Sequence, residues 1–183
     1  MMFTHTDDGT LQFPWLVRYI QKRSGDLEQN LFKKAFARYL KTAGTALDIS
    51  SGNSLVALLR EKGLTTYAVS GTQKKLLYPD NSFDYLTSCG LLETVPEQDR
   101  KRIFSEMIRV TRNMLFVAVR TSGFSGLLML SALGAPDIFP PSLLSLKEFR
   151  ALIAKEPGLQ LVELRNAGGF EKSFVMAVLQ KTV

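Results

Sequence analysis

Asp48 stands just ahead of a run of small residues, Ser50, Ser51, Gly52 and Asn53, and that run leads into an apolar-periodic segment. An acid at a strand end followed by such a turn lets a ligand approach the backbone, where amide donors and a helix start converge. The same run also reads as a βα turn that uses small residues for close packing. The sequence holds a single histidine, His5, in a short polar leader, and a single cysteine, Cys89. No Cys/His zinc cluster or intrachain disulfide can therefore form, and no central histidine is at hand for a triad or general-base role. No metal site is expected.

Positioning that turn requires alternating elements. Leu27, Leu31, Phe32, Ala35, Phe36 and Tyr39 recur on one helical face, which predicts a leading helix from Leu27 to Leu40. Thr45 to Ile49 reads as a short buried strand, and Ser54 to Lys62 as a helix stopped by Gly63. Thr65 to Ser70 and Ser82 to Ser88 are further strand candidates, the second preceded by the turn residues PDN. Ile103, Phe104, Met107, Ile108 and Val110 share one side of a helix that Pro96 and Glu97 open and that ends near Thr111. Met114 to Val119 is continuously apolar, as expected of a strand covered on both faces.

Ser145 and Glu148 have the spacing of a capping box for a helix through Lys155, ended by Pro157 and Gly158. Leu159 to Leu164 and Ser173 to Leu179 read as two last strands joined by a turn at Ala167 to Gly169. The alternation predicts an α/β fold with a mainly parallel sheet, helices on both faces and an antiparallel last strand. At 183 residues with no linker or repeat, a single domain over 1–183 is expected.

A net charge of +6 permits attraction to acidic partners, but the basic residues are scattered rather than clustered, which argues against nucleic-acid binding. The longest apolar stretch, Gly126 to Gly134, falls well short of the ~20 residues of a membrane span. One cysteine and no apolar signal core between Met1 and Trp15 are what a cytoplasmic protein would show.

Tyr78 to Val95 (YPDNSFDYLTSCGLLETV), continuing into PEQDRKRIFSEMIRVTRN, resembles the middle of the class I S-adenosylmethionine-dependent methyltransferases. In that family a PDNSFD turn enters the fourth strand and a glycine-leucine-glutamate segment leaves it. LDISSGNS resembles the family's first motif, and the leading helix and the LSLKEFRALI helix with its two strands extend the likeness over nearly the whole chain. The resemblance implies a Rossmann-like three-layer methyltransferase fold, S-adenosylmethionine as cofactor and methyl transfer to an unidentified small-molecule or protein acceptor. Asp48 would close the first strand and Gly52 would lie beside the methionine part of the cofactor, in a turn completed by Ser50, Ser51 and Asn53. Cys89, Gly90 and Leu91 would border the reacting methyl. Glu93 and Tyr85 are the candidate acceptor bases, and Thr94 occupies a position where many relatives carry histidine.

The pattern is also degenerate. Ser50 and Ser54 replace the usual glycines, and a Cβ there narrows the cofactor's approach to the backbone. The interval from Gly71 to Phe83 has room for a bare crossover only, so one βα unit is expected to be missing. The strand before it matches either the family's second strand or its third. In either register Ser70 or Thr72 stands where a carboxylate would hold the adenosine side, and neutral hydroxyls bond more weakly by a factor of about two. Weak cofactor binding, or none, is expected. The rival reading is a catalytically inactive relative serving as a binding or scaffold subunit, and a partner chain could complete the shortened half of the pocket. Residues 1–26 read as a leader and cap containing Phe13 and Trp15. Residues 121–144 read as a lid-like insertion in which Leu127, Leu128, Met129, Leu130, Phe139 and Leu143 line an acceptor pocket or form an interface.

Overall fold

A computed structural model describes residues 4–5, 11–12, 14–41, 43–50, 55–69, 75–121, 144–166 and 174–182. β1 (Thr4–His5) and β2 (Leu11–Gln12) pair as a short antiparallel ribbon. They precede α1 (Pro14–Tyr39), β3 (Thr45–Asp48), α2 (Val56–Glu61), β4 (Thr65–Ala68), β5 (Phe83–Cys89) and α3 (Glu97–Val110). β6 (Thr111–Arg120) follows α3 directly, and α4 (Leu146–Ala154), β7 (Leu159–Asn166) and β8 (Phe174–Lys181) complete the order.

The main sheet has six strands in the order β4-β3-β5-β6-β8-β7. The first four run parallel, whereas β8 pairs antiparallel with both β6 and β7. Side chains alternate across the sheet, so its two faces bury two separate cores. Leu47, Leu86, Leu115, Val117 and Leu179 pack on one face against Ile103, Phe104 and Met107 of α3 and Phe149 and Ile153 of α4. Ala46, Tyr85, Phe116, Met176 and Val178 pack on the other against Phe32, Ala35 and Phe36 of α1 and Leu58 and Leu59 of α2. The Phe36 and Phe116 rings meet edge to face at 5.2 Å. The three-layer Rossmann-like expectation holds.

One boundary in the sequence reading shifts, and one alternative that it left open is closed. The leading helix begins at Pro14 rather than Leu27, so much of the expected leader is helical. Proline is favoured at a first helical position, and Gly25 inside the helix costs only about 1 kcal/mol. β4 pairs in register with β3, from Thr45↔Thr65 to Asp48↔Ala68. This decides the open alternative: the segment is the second strand of the pattern. No strand or helix occurs among the described residues of 69–82 before β5 begins, as the missing βα unit requires. The expected lid lies outside the described residues, except that Thr121 and Leu144 at its two ends form a parallel bridge. The expected turn at Ala167 to Gly169 also lies outside them. Among the described residues no helix is long and apolar enough to cross a membrane.

The PDNSFD turn works as a clamp at the N-terminal ends of the strands. Asn81 adopts φ 55°, a conformation asparagine tolerates better than most residues. Asp84 accepts from the Thr45 amide (2.9 Å), the Thr45 hydroxyl (3.0 Å) and Arg112 (2.9 Å). The Thr45 amide above all holds its carboxyl below the usual carboxylate range. Lys181 donates to Asn81 Oδ1 and to the carbonyls of Ile108 and Thr111, which ties β8 to the end of α3. Gly44 has no side chain because a Cβ there would lie 2.7 Å from Asp84 Oδ2. Gly44→Ala is therefore expected to destabilise the protein by about 1–3 kcal/mol, since the carboxylate must leave its donors or the strand must shift. Urea denaturation should show the loss as a lower midpoint with an unchanged slope.

Candidate functional site

The C-terminal ends of β3, β5 and β6 lie side by side, the place where parallel sheets with crossover helices bind ligands. Asp48 ends β3 and is 2% exposed. Its Oδ1 accepts from the Ser50 hydroxyl (2.7 Å) and the Thr87 hydroxyl (2.8 Å), and its Oδ2 from the Leu55 amide (3.0 Å). Leu55 caps α2 and offers no side-chain acceptor of its own, so Asp48 serves the helix start from seven residues away. One carboxylate thus joins β3, β5 and α2 around the first crossover. Ser50 extends the tie by accepting from the Cys89 amide (3.2 Å).

Beyond Cys89 the chain turns at Gly90, whose φ of 72° favours glycine. The Gly90 amide donates to the Ala118 carbonyl of β6 (3.0 Å). The next residues form a tight turn in which the Thr94 amide and hydroxyl both donate to the Leu91 carbonyl. Arg100 of α3 holds that turn from behind through the Leu92 carbonyl (2.9 Å). Glu93 consequently points inward and is 1% exposed, with Oε1 accepting from the Arg120 amide (2.9 Å).

Around Glu93 lies a cluster of ionisable groups in which Glu28 and Cys89 are buried and Arg120 is half-buried. The Arg120 guanidinium pairs with Glu28 of α1 at 3.0 Å, and the Cys89 thiol lies 3.6 Å from the other Glu28 oxygen. Burial pushes the Glu93 carboxyl up to about 7, against the opposing pull of the Arg120 amide. Burial, together with the Glu28 and Glu93 carboxylates, pushes the Cys89 thiol well up, so this sulfur is a poor nucleophile near neutral pH. Glu93 is thereby brought into the range where it exchanges a proton near neutral pH.

Of the residues singled out in sequence, Asp48, Ser50, Cys89, Gly90, Leu91 and Glu93 converge on these strand ends. Thr94 belongs to the same turn but is exposed, and its hydroxyl is spent on the turn itself. Tyr85 is 4% exposed and sits in the core beneath α1 and α2. Ser51, Gly52, Asn53, Ser70 and Thr72 lie outside the described residues. Sequence reasoning missed Glu28, Thr87 and Arg120. Glu28 had a signal: it falls four residues before Phe32, on the apolar stripe of α1, where a charge needs a partner. Among the described residues no group of three or more His, Cys, Asp or Glu side chains could hold a metal ion.

Residues 30–116 match the family model of the methyltransferase domain. No curated protein sequence matches the chain. Among solved structures, the Burkholderia thailandensis 1,6-didemethyltoxoflavin-N1-methyltransferase with bound 1,6-didemethyltoxoflavin and S-adenosylhomocysteine is similar, with TM-score 0.66, 12% identity and coverage of 93% of this chain and 86% of that one. Magnesium protoporphyrin IX methyltransferase from Synechocystis with bound S-adenosylhomocysteine gives TM-score 0.60, 12% identity and coverage of 90% and 88%. A Haloferax volcanii methyltransferase in complex with the Trm112 methyltransferase activator gives TM-score 0.66, 15% identity and coverage of 93% and 97%. The resemblance read from the sequence is borne out, and at these identities the structural likeness speaks for the fold.

Two outcomes follow from the site. Asp48→Ala should cost roughly 2–4 kcal/mol, because it strands the Thr87 hydroxyl and the Leu55 amide in the interior, and Asp48→Asn should cost less. Equilibrium denaturation of both variants measures the difference. Glu93 binds its proton more tightly folded than unfolded, so its contribution is full below about 4.5 and is lost as pH rises to about 7. The span corresponds to on the order of 3 kcal/mol. Denaturation midpoints of Glu93→Gln should fall less steeply across that window than those of the parent protein.

Proposed function

We propose that this chain, methyltransferase-like in its residues 30–116 and in its fold, transfers a methyl group from S-adenosylmethionine to an acceptor bound at the ends of β5 and β6. The observation that carries this reading is the way Asp48 joins Ser50 at the end of β3, Thr87 of β5 and Leu55 at the start of α2. Strand ends kept only for packing have little need of a buried carboxylate tied to all three. Gly90, with no Cβ and a left-handed backbone, fits a close approach of the cofactor's methionine end beside β5. The adenosine side fits less well, for no Asp or Glu occurs between Ala68 and Leu77 to take the ribose hydroxyls. Binding should be correspondingly weak.

When bound, the cofactor supplies an electrophilic methyl on a sulfonium. The chain's own contribution is positioning and exclusion of water, with one proton to manage. As the acceptor gains the methyl it releases a proton, and Glu93 takes it on the oxygen opposite the one held by the Arg120 amide. The Glu28–Arg120 pair keeps α1 against this part of the floor.

The missing acid and the absent βα unit favour a second reading, a non-catalytic methyltransferase-fold subunit. A partner chain, of the kind present in the Haloferax volcanii complex, would then complete the wall. Titration calorimetry with S-adenosylmethionine and S-adenosylhomocysteine separates the two. Saturable binding of both, weakened in Asp48→Ala, is the expected result. No heat at millimolar ligand, with the protein folded, would replace the enzyme by the scaffold.

A further inference from the structure

The sheet has two outer strands, and they are treated differently. β7 carries a register shift between Leu161 and Glu163, and its Glu163 is engaged by Arg38, Tyr39 and Arg165. Bulges and charges of this kind blunt a sheet edge. β4 has neither device. Its pairing with β3 is regular, it contains no proline or charged residue, and its short length is its one protection.

The backbone of β4 is half used. The Thr65 and Val69 amides donate to the Gly44 and Asp48 carbonyls, so residues 65, 67 and 69 turn inward to β3. In a parallel ladder the alternate residues face the other way, which directs the amides and carbonyls of Thr66 and Ala68 outward. Three of the four β4 residues are exposed, Tyr67 is 46% exposed, and Leu77 in the following loop is 85% exposed. This is the side from which the family's further βα unit is missing.

The surroundings select the occupant. Arg60 donates to the Thr66 hydroxyl (2.9 Å) and Lys62 is exposed just before the strand, next to Glu61, whereas Lys75 after the strand already has the Glu106 carboxylate as a neighbour. A second copy pairing here would bring these cations together, in a chain whose net charge is already +6. We infer that β4 is a docking edge for an extended, acidic segment of another protein, which adds as a seventh strand through the backbone of Thr66 and Ala68. Main-chain bonds supply the register, and Arg60 and Lys62 select for acidic side chains. The inference rests on the sheet edge and does not require cofactor binding.

A fluorescent peptide of alternating glutamate and valine, and its lysine and valine counterpart, provide the test. Fluorescence anisotropy should show saturable binding of the acidic peptide, at least about ten-fold tighter than that of the basic one. Hydrogen exchange at Thr66 and Ala68 should slow when the acidic peptide binds. Thr66→Pro and Ala68→Pro each remove an outward amide without touching the bonds to β3, and each should abolish binding while leaving the circular dichroism spectrum unchanged. Arg60→Glu should weaken it. Binding that survives both proline variants, equal binding of the two peptides, or no binding of either would overturn the inference. Concentration-dependent dimerisation lost in Ala68→Pro would also overturn it, by assigning the edge to a second copy.

Discussion

The buried carboxylate of Asp48 is the constraint from which the rest of the site follows. Removing a carboxylate from water is costly unless donors replace the lost hydration, and here a serine, a threonine and a helix-start amide do so. Those donors come from three different elements, so the requirement to satisfy one charge fixes the distance between β3 and β5 and the entry angle of α2. Ser50 passes the constraint on to Cys89, and the Gly90 amide carries it to β6. The strand ends are aligned because a single acid must be paired.

A second buried charge system joins the sheet to α1. Glu28 reaches both Arg120 and Cys89, across sequence separations of 92 and 61 residues. Farther along α1, Tyr39 donates to Glu163 of β7 at 2.8 Å. The helix is thereby anchored at two points along its length, one at the site edge and one on the outer strand β7. An ion pair with only its carboxylate buried stabilises less than its geometry suggests once desolvation is counted, so its clearer consequence is to fix where α1 lies. Glu93 shares the same low-dielectric space, which is why its proton is held into the neutral range.

The segment that made the family resemblance legible divides its work between the two ends of β5. PDNSFD sits at the N-terminal ends of the strands, with Asp84, Asn81, Arg112 and Lys181 pinning β3, β5, α3 and β8 together. Arg109 adds bonds to Glu106, Asp80 and the Tyr78 carbonyl. The candidate site is at the far ends of the same strands. The first half of the motif marks the framework, and its second half, from Cys89 to Glu93, reaches the candidate site.

What the sequence determined by itself is whatever local periodicity encodes. The period of apolar residues separates helices from strands, continuous apolar runs such as Met114 to Val119 mark strands covered on both faces, and Ser145 with Glu148 marks a helix start that the structure forms as a full capping box. Asp48 could be singled out because it closes a strand, where ligand sites gather, and Glu93 because the segment that holds it resembles the methyltransferase family. Tertiary structure alone decided that Tyr85 faces the core, that β4 is the outer strand, and that Glu28, Cys89, Glu93 and Arg120 share one buried space. The reason is physical: periodicity is a property of neighbours along the chain, whereas charge pairing and desolvation depend on which distant residues the folded sheet and helices bring within a few ångströms.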